Sequence, residues 1–281
     1  MNISAALAAA TESLEQAGVV EYRREASSLL KFVLDRPVSF LIAHPEYELS
    51  ETEAVAFAVA VERRSTREPF QYIVGRQEFY GLDFIVEPEV LIPRPETEIL
   101  VEAAIGELSS LNAPRFCEIG IGSGCVSISM LVNLPNASAI AADVSRTALA
   151  VAERNAVTHQ VHERIDLIES DLFANVEGKF DLIVSNPPYI PAEDIDALQI
   201  EVRDYEPLTA LSGGPGGLEI VRRLITEAPT HLVAGGSLMM EIGIGQSADV
   251  ATMFDPLIWH ESRFLPDLQQ IPRTVIAKLR G

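Results

Sequence analysis

The chain has 281 residues, 48% of them hydrophobic, with 41 acidic and 21 basic side chains giving a formal charge of −20. This is room for one large domain or for a small domain joined to a larger one, and no apolar run approaches the roughly 20 residues of a membrane-spanning helix. The acidic balance disfavours nucleic acid as a partner, because a positive surface supplies much of the affinity for phosphates.

The first stretch, residues 1–73, reads as a small helical domain. Glu12 and Glu15 among its alanines leave no basic start or apolar centre of a secretion signal, so a cytoplasmic protein is expected. Ile3, Leu7, Ala10 and Leu14 recur at helical spacing before Gly18, and Ala26, Leu29, Leu30 and Val33 mark a second helix. Ser50 and Glu53 make a capping box that opens a third, running through Val55, Val59 and Arg63. Arg63, Arg64, Arg67 and Arg76 come close to a basic patch, but Glu62 and Glu68 are interleaved, which reads as a solvated helix end. No motif here carries chemistry; docking of a protein partner is the expected role.

Residues 74–90 read as a β-hairpin linker, with short strands at 77–80 and 83–87 around Gly81. Residues 91–281 are read as a third segment, which opens with Ile92-Pro93-Arg94-Pro95-Glu96-Thr97-Glu98. Pro95 suits the first turn of the helix that Ile99, Leu100, Ala103 and Ala104 continue, and Glu96 and Glu98 suit its positive end. Strands follow at 115–119, 138–143, 165–169, 180–185, 236–242, 257–264 and 273–279, with helices at 124–133, 146–157, 217–233 and 246–254. Alternation of this kind predicts an α/β, doubly wound, Rossmann-like sheet of seven strands covered on both faces. The last strand has no helix before it and should pair antiparallel. Cys117 and Cys125 fall in the first of these strands and at a helix start, without metal-ligand spacing, so neither a metal nor a disulfide is expected.

Glu118-Ile119-Gly120-Ile121-Gly122-Ser123-Gly124 lies where that strand turns into its helix. Glycines permit the tight turn and a close approach of backbone to ligand, as a dinucleotide would also require. The spacing is G-x-G-x-G, however, not the dinucleotide G-x-G-x-x-G. Glu118 would repel a pyrophosphate but can hold an ammonium group, directly or through water. Asp143, about twenty residues on, ends the second strand, where a carboxylate can accept from both ribose hydroxyls; the competing role is a cap for the helix from Arg146. Asp171 and Leu172 close the third strand and would border an adenine. A nucleoside joined to an amino acid, with no phosphate, describes S-adenosylmethionine.

Phe180-Asp181-Leu182-Ile183-Val184-Ser185 is a buried strand, and Asn186-Pro187-Pro188-Tyr189 follows at the edge where such sheets bind ligands. An amide nitrogen is a poor nucleophile, because full loss of its resonance approaches the rotation barrier of roughly 18–20 kcal/mol. Two acceptors on its NH₂ group, the Asn186 side-chain oxygen and the Pro187 carbonyl, would aim the nitrogen for in-line attack. They would also stabilise the positive charge that grows on it, an oxyanion hole of reversed sign. Pro188 helps lock the backbone, and Tyr189 offers a flat face for the planar group. Direct transfer needs no metal and no covalent intermediate.

These residues resemble the class I methyltransferases, specifically the family that methylates the glutamine of peptide chain release factors. The likeness runs from Tyr72-x-x-Gly75 and Phe79–Phe84 through Ile92–Glu98, the glycine loop and Ser170–Phe173. It continues through Ser185–Ile190, Glu206-Pro207, Leu211–Gly214 and Glu241-Ile242-Gly243. Gly216 stands where the family often has Asp, and 267–273 lacks the glycine usual before its arginine. The resemblance implies a cofactor, S-adenosylmethionine, leaving as S-adenosylhomocysteine. It implies a substrate too, the side-chain nitrogen of the glutamine in the Gly-Gly-Gln loop of bacterial class I release factors. By position, Gly120–Gly124, Asp143, Leu172 and Asn186 would bind cofactor, Asn186–Tyr189 the glutamine, and the N-terminal helices the release factor. A monomer is expected. Rival readings are a glutamine methyltransferase for a ribosomal protein, which the helical N-terminal stretch disfavours, and an adenine-amine methyltransferase, which must flip a base into its pocket. A non-catalytic module for the cofactor or a partner is a third.

Overall fold

The computed structural model describes residues 1–281, which divide into two compact units. The first comprises Met1–Arg76 and Gln199–Tyr205. Helices α1 (Ile3–Gln16), α2 (Tyr22–Leu34) and α4 (Glu51–Ser65) form where the apolar spacing places them. Two short helices that the spacing does not mark, α3 (Val38–Ala43) and α5 (Phe70–Val74), complete the set. The capping box is made in both directions: Glu53 N–H donates to Ser50 Oγ at 3.3 Å, and Ser50 N–H to Glu53 Oε2 at 2.7 Å. The buried face of α4 is Phe57, Ala60, Val61 and Arg64, whereas Val55 and Val59 are exposed. Both stripes have helical spacing, and the one carrying the large aromatic side chain is the one turned inward.

Three arginines of the near-patch are engaged within this unit, and Arg76 is exposed. Arg63 Nε donates to Glu68 at 2.8 Å, Arg67 donates twice to Glu201 at 2.7 Å, and Arg64, itself buried, bonds Glu201 at 3.0 Å and also Glu25. Glu201 lies on a short helix, Ile200–Arg203, in the segment the chain contributes to the first unit from far along its length.

The second unit comprises Gln77–Leu198 and Glu206–Gly281. Strands β1 (Arg76–Phe79) and β2 (Leu82–Ile85) form the expected hairpin. Its two-residue turn, Tyr80-Gly81, has φ of 53° and 74°, the left-handed pair whose twist suits a tight hairpin. Phe79 and Phe84 are fully buried in the core of this unit, so the hairpin is a packed part of it. Then come α6 (Glu98–Leu108), β3 (Arg115–Ile119), α7 (Cys125–Asn133), β4 (Ser138–Asp143), α8 (Arg146–Thr158), β5 (Ile165–Glu169) and β6 (Phe180–Ser185). After a long excursion the sheet ends with β7 (Leu232–Glu241), β8 (Trp259–Pro266) and β9 (Pro272–Leu279).

The seven strands lie in the order β5-β4-β3-β6-β7-β9-β8, with β9 antiparallel to both neighbours and the rest parallel. Side chains alternate between the two faces. Phe116, Ala139, Ala141, Leu182, Val184, Met239 and Ile276 join the core beneath α6, α7 and α8, while Cys117, Ile140, Ile183, Leu238, Met240 and Val275 join the core on the other face. Burial on both sides makes the central strands mostly apolar, whereas the edge strands β5 and β8 carry exposed polar residues. The predicted helix over 217–233 stops early, at Glu219–Glu227. Pro229 falls just beyond, where it cannot continue an α-helical ladder, and after one 3₁₀ turn the chain enters β7 at Leu232. Strand order reverses direction between β3 and β6, and at that switch point the carboxyl ends of parallel strands leave a crevice.

Candidate active site

A cleft opens at the ends of β3, β4 and β6. Of the residues singled out above, Glu118, Gly120, Ile121, Gly122, Ser123, Asp143, Asp171, Leu172, Asn186, Pro187 and Pro188 line it, and Gly124 and Tyr189 do not. Gly124 sits behind the loop at φ 84°, where a Cβ would come within 2.7 Å of Ile128 and 3.4 Å of Ala152; it lets α7 pack against α8. Tyr189 turns its hydroxyl away to Glu241.

The glycine loop is held by its own neighbours. Gly120 and Ile121 donate to the Ala142 carbonyl at 2.8 and 3.1 Å, and Gly122 N–H donates to Asp143 Oδ2 at 3.0 Å. Asp143 Oδ1 accepts from Ser145 N–H at 2.9 Å, so this carboxylate joins the loop to the start of α8, and the N-cap of that helix is Ser145. Asn155, fully buried, donates to the Ser123 carbonyl at 2.8 Å and exchanges bonds of 2.8 and 3.0 Å with Ile85 in the hairpin. Sequence reasoning missed Asn155; a lone amide on the buried stripe of α8 was its available signal.

Glu118 is 1% exposed, and its Oε2 accepts from Ser127 N–H at 2.9 Å near the start of α7. Burial pushes its carboxyl up to about 8, and nearby Asp143 adds to the rise. Burial raises Asp143 as well, against the backbone bonds from Gly122, Ser145 and Val144. Both acids line the cleft, and a cationic group placed between them would favour their ionised forms. Asp171 stands at the rim, where its Oδ1 accepts from Arg223 at 2.9 Å, and Leu172 is buried at the left-handed φ of 49°.

Around Asn186 the bonds come from distant parts of the chain. Ser185 Oγ donates to the Ile119 carbonyl at 2.7 Å, tying the end of β6 to the end of β3. Asn186 Nδ2 donates to Thr97 Oγ1 at 3.2 Å, Thr97 donates to Glu241 Oε2 at 2.6 Å, and Tyr189 donates to Glu241 Oε1 at 2.9 Å. Thr97 and Glu241 are 2% and 1% exposed. Arg94, at the cleft wall, pairs with buried Glu206, which also accepts from Ile92 N–H at 3.3 Å. The Ile92–Glu98 segment is thus one wall of the site.

The loop from Pro188 to Pro191 packs against glycines downstream. A Cβ on Gly217 would sit 2.2 Å from the Tyr189 carbonyl, which in turn accepts from Gln246 Nε2 at 2.9 Å. Gly217→Ala is therefore expected to displace the Asn186–Tyr189 loop and lower kcat about tenfold or more, since small misplacements of reacting groups carry large penalties. Gly216→Ala, where nothing lies within 4 Å and the backbone strain is similar, is the control. Equal kcat values in the two variants would contradict the close-approach account. Gly216 and 267–273 contribute nothing to the cleft lining.

What the arrangement can do chemically is to seat a cationic, nucleoside-sized ligand against Glu118 and Asp143 and place it beside an amide-lined tip at Asn186. Comparisons with known proteins place the chain in a family. Residues 5–75 match the family model of the PrmC N-terminal domain, and residues 97–201 match that of the methyltransferase small domain. A release factor glutamine methyltransferase of Koribacter versatilis is 39% identical over 99% of both chains. Another, of Geobacter sulfurreducens, is 45% identical over 86% of this chain and 84% of its own. Among solved structures, the hMettl16 catalytic domain superposes with a TM-score of 0.59 at 16% identity, covering 83% of each chain, which speaks to fold alone.

Proposed function

From the premise that the chain belongs to the release factor glutamine methyltransferase family, we propose that it moves a methyl group from S-adenosylmethionine to the side-chain nitrogen of the glutamine in the Gly-Gly-Gln loop of class I release factors. The observation that carries this reading is the placement of Asn186 and Pro187 on the wall of the same cleft as Glu118 and Asp143. Cofactor and acceptor then meet at one point, which in-line transfer requires.

When bound, S-adenosylmethionine supplies an electrophilic methyl on a sulfonium. The residues do the rest. Asp143 would accept from the ribose hydroxyls, Leu172 and Asp171 would border the base, and the backbone of Gly120–Ser123 would allow the ligand a close approach. Glu118 faces the ammonium. Asn186 Oδ1 and the Pro187 carbonyl accept the two N–H bonds of the glutamine amide, and Pro188 and Tyr189 hold that loop in shape. Attack by the nitrogen's lone pair on that methyl would form the N–C bond as the S–C bond breaks, and the excess proton would pass to solvent water along an N–H polarised by those acceptors. The helices of the first unit would meet the body of the release factor. The chain is read as a cytoplasmic monomer.

The raised Glu118 carboxyl gives a pH signature. In the free protein Glu118 holds its proton up to about pH 8, above the 4.5 of an exposed glutamate. The unfolded chain has released that proton across this window, so Glu118 makes stability fall as pH rises from 4.5 towards 8. An ammonium beside it favours the charged form and reverses the shift. Cofactor binding near pH 7 should therefore expel close to one proton, read by calorimetry in buffers of different ionisation heat, and Glu118→Gln should abolish the release. Binding heats that ignore the buffer would overturn the assignment of Glu118.

The direct test is methyl transfer to a purified class I release factor from labelled cofactor. Label should appear on the intact factor and be absent when the loop glutamine is replaced. Transfer to ribosomal protein or nucleic acid with none to release factor would sink the reading.

A further inference from the structure

We propose that Glu241 and Thr97 are positioning residues for the transfer, setting the direction of the hydrogen bonds around Asn186 so that its side-chain oxygen faces the substrate amide. The inference rests on Asn186 being the amide acceptor.

Proton counting fixes the direction of these bonds. A side-chain amide offers an oxygen that only accepts and a nitrogen that only donates, and the two are sterically equivalent. If the nitrogen faced the glutamine NH₂, two donors would oppose each other and the grip would be lost. Something must hold the nitrogen elsewhere. Glu241 ends β7 with both oxygens engaged, Oε2 by Thr97 at 2.6 Å and Oε1 by Tyr189 at 2.9 Å. A carboxylate has no proton to give, so both hydroxyls must spend theirs on it. Thr97 Oγ1 then has only lone pairs left for Asn186, 3.2 Å away. The amide nitrogen can donate to it and the amide oxygen cannot. Turned the other way, Oδ1 would meet an acceptor in a buried place, an arrangement with no compensating bond. Burial raises the Glu241 carboxyl and the charge of Glu96 adds to the rise, while the Thr97 and Tyr189 bonds and the charge of Arg273 hold it down; the proton count is that of its ionised form. The same carboxylate thus orients two residues of the Asn186–Tyr189 loop.

Three variants of the full chain, assayed with S-adenosylmethionine and an intact release factor, test this. T97V removes the hydroxyl and keeps the branched shape; kcat should fall about 10- to 100-fold, the size expected when a reacting group is misoriented. T97S restores the hydroxyl and should recover most of that loss. S-adenosylhomocysteine affinity should change far less than kcat, because Asp143 and Glu118 are untouched. E241Q should also lower kcat, and the double variant T97V/E241Q should be no slower than the slower single one, since both act through one chain of bonds. T97V turning over like the unaltered protein overturns the proposal, and so does T97S as slow as T97V. Losses that multiply in the double variant overturn it as well. Should T97V not fold, E241Q at unaltered kcat overturns it alone. Failure of the unaltered chain to methylate any release factor is a different result, seen before any substitution, and removes the underlying reading together with this one.

Discussion

Asn186→Ala is expected to lower kcat by about 10²- to 10³-fold, the loss typical when one preorganised group that meets developing charge is removed. The fold should survive. Asn186 is only partly buried, and its one side-chain bond runs to Thr97, whose own proton stays committed to Glu241. No charge is stranded and no large cavity opens, so Tm should move by a few degrees at most. The Pro187 carbonyl remains as a single acceptor, which can still bind the glutamine but no longer fixes the nitrogen along the line of attack. Single-turnover kinetics with saturating cofactor separate this from a binding defect. A variant with unaltered kcat would remove Asn186 from the chemistry.

Asp143→Ala is expected to weaken S-adenosylhomocysteine binding about 100-fold, because charge-assisted bonds to a ligand contribute roughly 1.5–3 kcal/mol each. Two effects combine. The ribose loses its acceptor, and the glycine loop loses the 3.0 Å bond from Gly122 that holds it against β4. Asp143→Asn separates them: it keeps one accepting oxygen and should fall between. Titration calorimetry reads both variants. Affinity within threefold of the unaltered chain in Asp143→Ala would show that the carboxylate serves the loop and the start of α8 only.

Strand β3, β4, β5 and β6 boundaries were readable to the residue, because each is a short, mostly apolar run bounded by polar or glycine residues. The glycine loop, Asp143 and Asn186–Tyr189 were readable for a related reason. Each sits where a strand ends, and strand ends in such sheets carry ligands. Three features were harder. The inward face of α4 was ambiguous because two stripes share one period. The helix over 217–233 was overrun because apolar spacing continues past Pro229 into β7. Asn155 was missed because a buried amide leaves no periodic trace.

Local pattern therefore determined the units of this protein: which segments are helix or strand, that the sheet is doubly wound, and which strand-end loops border the cleft. Those are properties of neighbours in sequence, set by side-chain period, glycine turns and proline stops. Tertiary structure alone decided how Asn186 is aimed. Thr97 stands 89 residues before it, and Glu241 bonds Thr97 across 144. Ile92 and Glu206 meet across 114. Such distances close only because the sheet order brings β6 between β3 and β7 and the Ile92–Glu98 segment to their carboxyl ends. A hydrogen bond is sensitive to tenths of an ångström and to which atom holds the proton, and neither is written in the spacing of residues along a chain.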